Sequence, residues 1–128
     1  MVTVSTSDGV AAIKTTGTTL AVKGARILVL GLTYKRNSAD ARESPAVDVV
    51  ERLLGLGATV RCCDPHVSSA GVPAGAVLVE LSENEVASSD AVLILTDHDE
   101  FDFELVTRAA RYIFDVRYRL HSDRVEHL

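Results

Sequence analysis

The sequence predicts an α/β domain built as an open parallel sheet flanked by helices. Three observations carry this. Apolar, β-branched-rich runs recur as Arg26-Ile27-Leu28-Val29-Leu30, Thr59-Val60-Arg61-Cys62-Cys63 and Asp90-Ala91-Val92-Leu93-Ile94-Leu95-Thr96. Runs without polar alternation suit strands buried on both faces. Amphipathic helical stretches separate them, and 128 residues is the length of one domain.

Taken in order, residues 1–23 are polar and rich in Ser and Thr, and read as a leader or linker with a scrap of helix at Ala11-Ala12-Ile13. The domain itself spans 24–120. After the first strand, Gly31 stops the run and a polar loop follows. Ser44 is an N-cap and Pro45 a first helical residue whose missing N–H costs nothing. The helix presents Ala46, Val47, Val49, Val50, Leu53 and Leu54 inward, and Gly55 and Gly57 end it. The second strand closes on Asp64-Pro65-His66. Val77-Leu78-Val79 is a short strand, and Ser82 with Glu85 has the form of a capping box. After the third long strand, Phe103, Leu105, Val106 and Ala109 mark another helix, and Tyr112-Ile113-Phe114-Asp115 a final strand. Residues 121–128 form a charged, frayed tail.

Composition narrows the function. A net charge of −5 and a pI near 5.3 argue against nucleic-acid binding through a basic surface. No apolar run is long enough to span a bilayer and no secretory signal is present, so the expected compartment is the cytoplasm and no membrane partner is expected. Cys62 and Cys63 are neighbours on a strand and point to opposite faces, which rules against a disulfide between them. No Cys-x-x-Cys pair exists, and no metal site is expected.

In open parallel sheets of this Rossmann-like kind, ligands bind beyond the carboxyl ends of the strands. Residues 33–42, 64–66, 96–99 and 115–117 are therefore the ones to watch. The first loop lacks Gly-x-Gly-x-x-Gly and carries the cations Lys35, Arg36 and Arg42 instead. Beside a helix N-terminus these suit an anion, the plain alternative being solvated loop charges. Asp64 stands where dinucleotide folds place a ribose-binding carboxylate, but without the glycines a turn role is preferred. His66 and His98 read as surface loop residues, and the two cysteines as packing residues rather than nucleophiles.

Gly31-Leu32-Thr33-Tyr34-Lys35 with Asp40-Ala41-Arg42-Glu43-Ser44-Pro45-Ala46 resembles a signature of the UDP-glucose/GDP-mannose dehydrogenase family, in its C-terminal domain. Asp64-Pro65-His66, the segment Leu95-Thr96-Asp97-His98-Asp99-Glu100-Phe101 and Ile113-Phe114-Asp115-Val116-Arg117 resemble three further family motifs, in order. The resemblance implies a domain that binds a UDP-sugar within an enzyme oxidising the sugar's C6 alcohol to a carboxylate, with NAD⁺ as cofactor. It implies that Tyr34, Lys35 and Arg117 bind substrate and that Arg42 reaches the NAD pyrophosphate. Asp40 and Glu43 would orient Arg42, and Asp115 would hold the backbone or Arg117. The 33–46 run is somewhat more similar to the UDP-N-acetyl-D-mannosamine members. The family's catalytic Cys and NAD-binding half have no counterpart in these residues, so the expected partners are N-terminal and central dehydrogenase domains, homodimeric in full-length form, and the chain alone is expected not to be catalytic. The rival is a stand-alone nucleotide-binding or regulatory module of the same fold.

Overall fold

A computed structural model describes residues 3–7, 10–14, 19–33, 35, 37, 44–117, 120 and 125–127, with the backbone alone for 3–7, 10–14, 19 and 125–127. Strands β1 (Thr3–Ser7), β2 (Val10–Lys14) and β3 (Thr19–Ala21) form a three-stranded antiparallel sheet. Then follow β4 (Arg26–Leu30), α1 (Pro45–Gly55), β5 (Thr59–Cys63), β6 (Val77–Leu78), α2 (Glu83–Ala87), β7 (Ala91–Ile94), α3 (Phe103–Ala109), β8 (Ile113–Asp115) and β9 (Val125–His127).

The six later strands make one parallel sheet in the order β6-β5-β4-β7-β8-β9. The chain leaves β4 toward one edge, then returns past it through β7 toward the other. That reversal opens a crevice between β4 and β7 at their carboxyl ends, where open sheets of this kind take ligands. The open parallel sheet flanked by helices is thus the predicted fold.

Alternation along β4 divides the core in two. Ile27 and Val29 face α1, packing with Ala46, Val50 and Leu53. Leu28 and Leu30 face the other way, with Val86 of α2 and Val106 of α3. Cys62 falls in the first cluster and Cys63 in the second, and both thiols are free.

Two expectations at the ends of the chain need correction. Ala11, Ala12 and Ile13 lie in β2, not in a helix. Ser7 pairs with Val10, and the Asp-Gly that stands between them in the sequence is a strong tight-hairpin signal. Buried Val22 and half-buried Leu20 then pack against the first core. At the other end, β9 falls in the segment read as a frayed tail and pairs with β8.

Candidate functional site

The crevice is a cleft of about 420 Å³ lined by Thr33, Lys35, Ser44, Pro45, Ala46, Leu95, Thr96 and Arg117. Each residue arrives from a carboxyl-terminal strand end or from the start of α1. Gly31 permits the approach of β4 to β7. Its φ is +90°, and a Cβ there would lie 2.3 Å from the Thr96 carbonyl oxygen. Ser44 is an extended N-cap whose hydroxyl accepts from the Ala46 N–H. The start of α1, with its positive end, therefore faces the cleft.

Lys35 and Arg117, far apart in sequence, stand exposed on the rim of this one cleft. The buried Asp115 carboxylate accepts from the backbone N–H groups of Arg117 and Leu120, each at 2.8 Å. The Arg117 Nε–H donates to the Leu95 carbonyl at 2.8 Å. Asp115 thus holds the loop from which Arg117 projects, the role read for it from sequence. Tyr34 and Arg42 lie outside the described residues, as do Arg36, Asp40 and Glu43.

Beneath the rim lies a buried polar network that sequence reasoning missed. His98, read as a surface residue, is 0% exposed. Its Nδ1 accepts from the Asn37 N–H at 2.8 Å. A backbone N–H can only donate, so Nδ1 is bare and the proton sits on Nε2. That Nε2–H faces Asp64 Oδ2 at 2.9 Å and Thr33 Oγ1 at 3.1 Å. Asp64 Oδ2 also accepts from the Leu32 N–H at 2.8 Å, and its Oδ1 from the His66 N–H at 2.8 Å. The second bond is the turn role expected of Asp64. The first turns the carboxylate inward and occupies an N–H that a glycine-rich loop would offer to phosphate. Thr96 Oγ1 donates to the Thr33 carbonyl at 2.6 Å. No signal local to His98 announces this burial, because the partners that decide it, Asp64 and Asn37, lie 34 and 61 residues away in sequence.

His66 is partly exposed, and its Nε2 meets Glu100 Oε2 at 2.5 Å. A bond from its own backbone N–H and then His66 hold the Glu100 carboxyl below its usual range. Burial pushes both cysteine thiols up to about 12, so neither is a ready nucleophile. Among the described residues, no group of three metal-ligating side chains comes together. No helix among them is long and apolar enough to cross a membrane.

Two cations on the rim and a helix N-terminus at the switch point of a parallel sheet give this cleft the electrostatics that suit an anion. The family model described as UDP-glucose/GDP-mannose dehydrogenase family, UDP binding domain, matches residues 28–122. The chain belongs to this family. Among curated relatives, a UDP-N-acetyl-D-mannosamine dehydrogenase of Methanococcus maripaludis is 43% identical over 82 residues, 64% of this chain and 18% of that enzyme. A UDP-glucose 6-dehydrogenase of Bacillus subtilis is 40% identical over 79 residues, 59% of this chain and 18% of that enzyme. A solved UDP-glucose dehydrogenase of Pyrobaculum islandicum superposes with a TM-score of 0.67 at 27% identity, over 82% of this chain and 25% of that one. The chain thus spans about a fifth to a quarter of the family members it matches.

Proposed function

We propose that the cleft between β4 and β7 binds the diphosphate of a UDP-sugar, as the substrate-binding part of an NAD-dependent UDP-sugar 6-dehydrogenase. The observation that carries the reading is the convergence of Lys35 and Arg117 on one cleft at the start of α1. Two cations and a helix N-terminus answer a diphosphate, Lys as a compact charge and Arg as a planar fork. The relatives act on both UDP-N-acetyl-D-mannosamine and UDP-glucose, so the part they share, UDP, is the ligand proposed for this chain. Tyr34 joins Lys35 and Arg117 as a substrate residue in this proposal. Arg42 reaches toward the NAD⁺ held mainly by an N-terminal domain, the N-terminal and central dehydrogenase domains being partners in a full-length homodimer.

The test is an amide chemical-shift titration of the chain with UDP, UDP-glucose, UDP-N-acetyl-D-mannosamine, GDP-mannose and NAD⁺. UDP and both UDP-sugars should shift the amides of Lys35, Thr96 and Arg117. Lys35→Ala and Arg117→Ala should each remove detectable binding, since a charge-assisted hydrogen bond is worth roughly 1.5–3 kcal/mol. Arg111→Ala, on the exposed loop at the amino end of β8, should bind like the parent. Shifts that map to the 64–70 loop, or three variants that all behave like the parent, would overturn the assignment.

A further inference from the structure

The loop that carries Lys35 is pinned on both sides of it, at Thr33 and at Asn37, through His98 and Asp99, neither of which lines the cleft. Two positions before Lys35, Thr33 Oγ1 donates to the Lys35 carbonyl at 2.8 Å. That leaves the Thr33 oxygen to accept from the His98 Nε2–H. Two positions after it, Asn37 is held three times. Its N–H donates to His98 Nδ1. Its side-chain oxygen accepts from the Asp99 N–H at 3.1 Å, and its side-chain nitrogen donates to Asp99 Oδ2 at 2.9 Å. Asn37 has φ +59°, a left-handed conformation that Asn tolerates better than most residues. Resting on the nucleotide reading above, we propose that His98 and Asp99 are positioning residues: through Thr33 and Asn37 they clamp the 33–37 loop so that Lys35 stands at the diphosphate before ligand arrives.

The physical case is pre-organisation. An exposed lysine on a loose loop would have to order its backbone on binding, and that cost subtracts from affinity. Here the neutral imidazole orders the loop in advance. Asp64 fixes the imidazole in turn, by accepting the proton on Nε2 and so leaving Nδ1 bare. His98 is fully buried and so acts on ligand only through the loop.

The test uses the full chain, UDP as probe, and three variants. His98→Leu keeps the bulk and removes both ring nitrogens. His98→Asn places an oxygen near the Nδ1 position and restores the acceptor for the Asn37 N–H. Asn37→Gly keeps the N–H and the positive φ but removes both links to Asp99. UDP affinity should fall about tenfold in His98→Leu, equivalent to 1.4 kcal/mol. In His98→Asn it should stay within about threefold of the parent, and in Asn37→Gly it should fall about threefold. In the free protein, hydrogen exchange at the Asn37 amide should quicken in His98→Leu and not in His98→Asn, a contrast that general destabilisation would not produce. Parent-like affinity in folded His98→Leu, or in Asn37→Gly, overturns the clamp alone. If His98→Leu does not fold, Asn37→Gly and the exchange rate in His98→Asn decide. A parent chain indifferent to UDP overturns the nucleotide reading and the clamp with it.

Discussion

Gly31 is where one hydrogen atom in place of a methyl group makes the site possible. With φ at +90° and the Thr96 backbone where a Cβ would stand, no other residue fits without displacing β7 from β4. Gly31→Ala should therefore destabilise the chain by about 3 kcal/mol or more, from left-handed strain and overpacking together. Urea unfolding measures this, and a variant within 1 kcal/mol of the parent, roughly the size of an ordinary surface effect, would contradict it. The adjacent thiols make a second residue-scale prediction. Desolvation is the main reason both sit up at about 12, with the neighbouring carboxylates, Asp64 for Cys62 and first Glu85 for Cys63, pushing the same way. At about pH 8 the native chain should resist alkylation by iodoacetamide, while the unfolded chain, with ordinary thiols, should take two labels.

Among the elements, α2 is the one least able to stand by itself. A helix of five residues, Glu83–Ala87, cannot offset its own nucleation. Ser82 caps it by accepting from the Glu85 N–H, as the sequence pattern foretold. The other half of the capping box is diverted. Glu85 reaches across to Arg61 of β5 at 2.7 Å and to Arg26 of β4 at 3.3 Å. The bond from Arg61 is the main cause holding the Glu85 carboxyl below its ordinary value of 4.5. A carboxyl lowered in the native state binds fewer protons there than in the unfolded chain. Its contribution is complete above about pH 4.5 and fades as pH falls through the lowered value. Glu85→Gln should cost about 1–2 kcal/mol near neutral pH, the worth of charged hydrogen bonds discounted for partial exposure. The gap from the parent should close on acidification, and a gap independent of pH in urea unfolding would count against the ion pair.

β4 and β5 coincide with the apolar runs at Arg26–Leu30 and Thr59–Cys63, because strands buried on both faces must be written in apolar residues. Ser44, Ser82 and Asp102 all cap helices through their side chains, since a helix start needs an acceptor for an early N–H. The N-terminal hairpin escaped because Ser and Thr read as loop formers, while Asp8-Gly9 between two β-branched stretches was the better guide. β9 escaped because an edge strand such as Val-Glu-His needs little apolar content. For the cleft, the strand ends mark the stretches from which Lys35, Asp115 and Arg117 come. The place of His98 was not legible, since its burial is decided by Asp64 and Asn37, which lie 34 and 61 residues away.

For the whole molecule, the decisive fact is that the cleft is open to solvent and bounded by one domain. Helices cover both faces of the sheet and the two cores are closed, so the carboxyl-terminal edge is where the fold leaves polar groups for a ligand. In an open cleft, the rim cations act through water and salt, with a Debye length of about 8 Å at physiological ionic strength. The chain taken alone also lacks whatever contacts the other three-quarters to four-fifths of such an enzyme would add. Binding of UDP by this chain alone should therefore be weak, with Kd in the millimolar range, about −4 kcal/mol. It should weaken further as salt rises, and titration at low and high sodium chloride measures the slope. Chemistry should not follow binding. Oxidising an alcohol to a carboxylate through a thiol adduct needs a thiolate beside the sugar. The two thiols of this chain are inside opposite cores with their ionisation suppressed, and neither lines the cleft. Mixed with a UDP-sugar and NAD⁺, the chain should give no rise in NADH absorbance over a heat-treated control. Measurable turnover would show that a nucleophile of another kind stands in the cleft, and would overturn the reading of this chain as a binding domain.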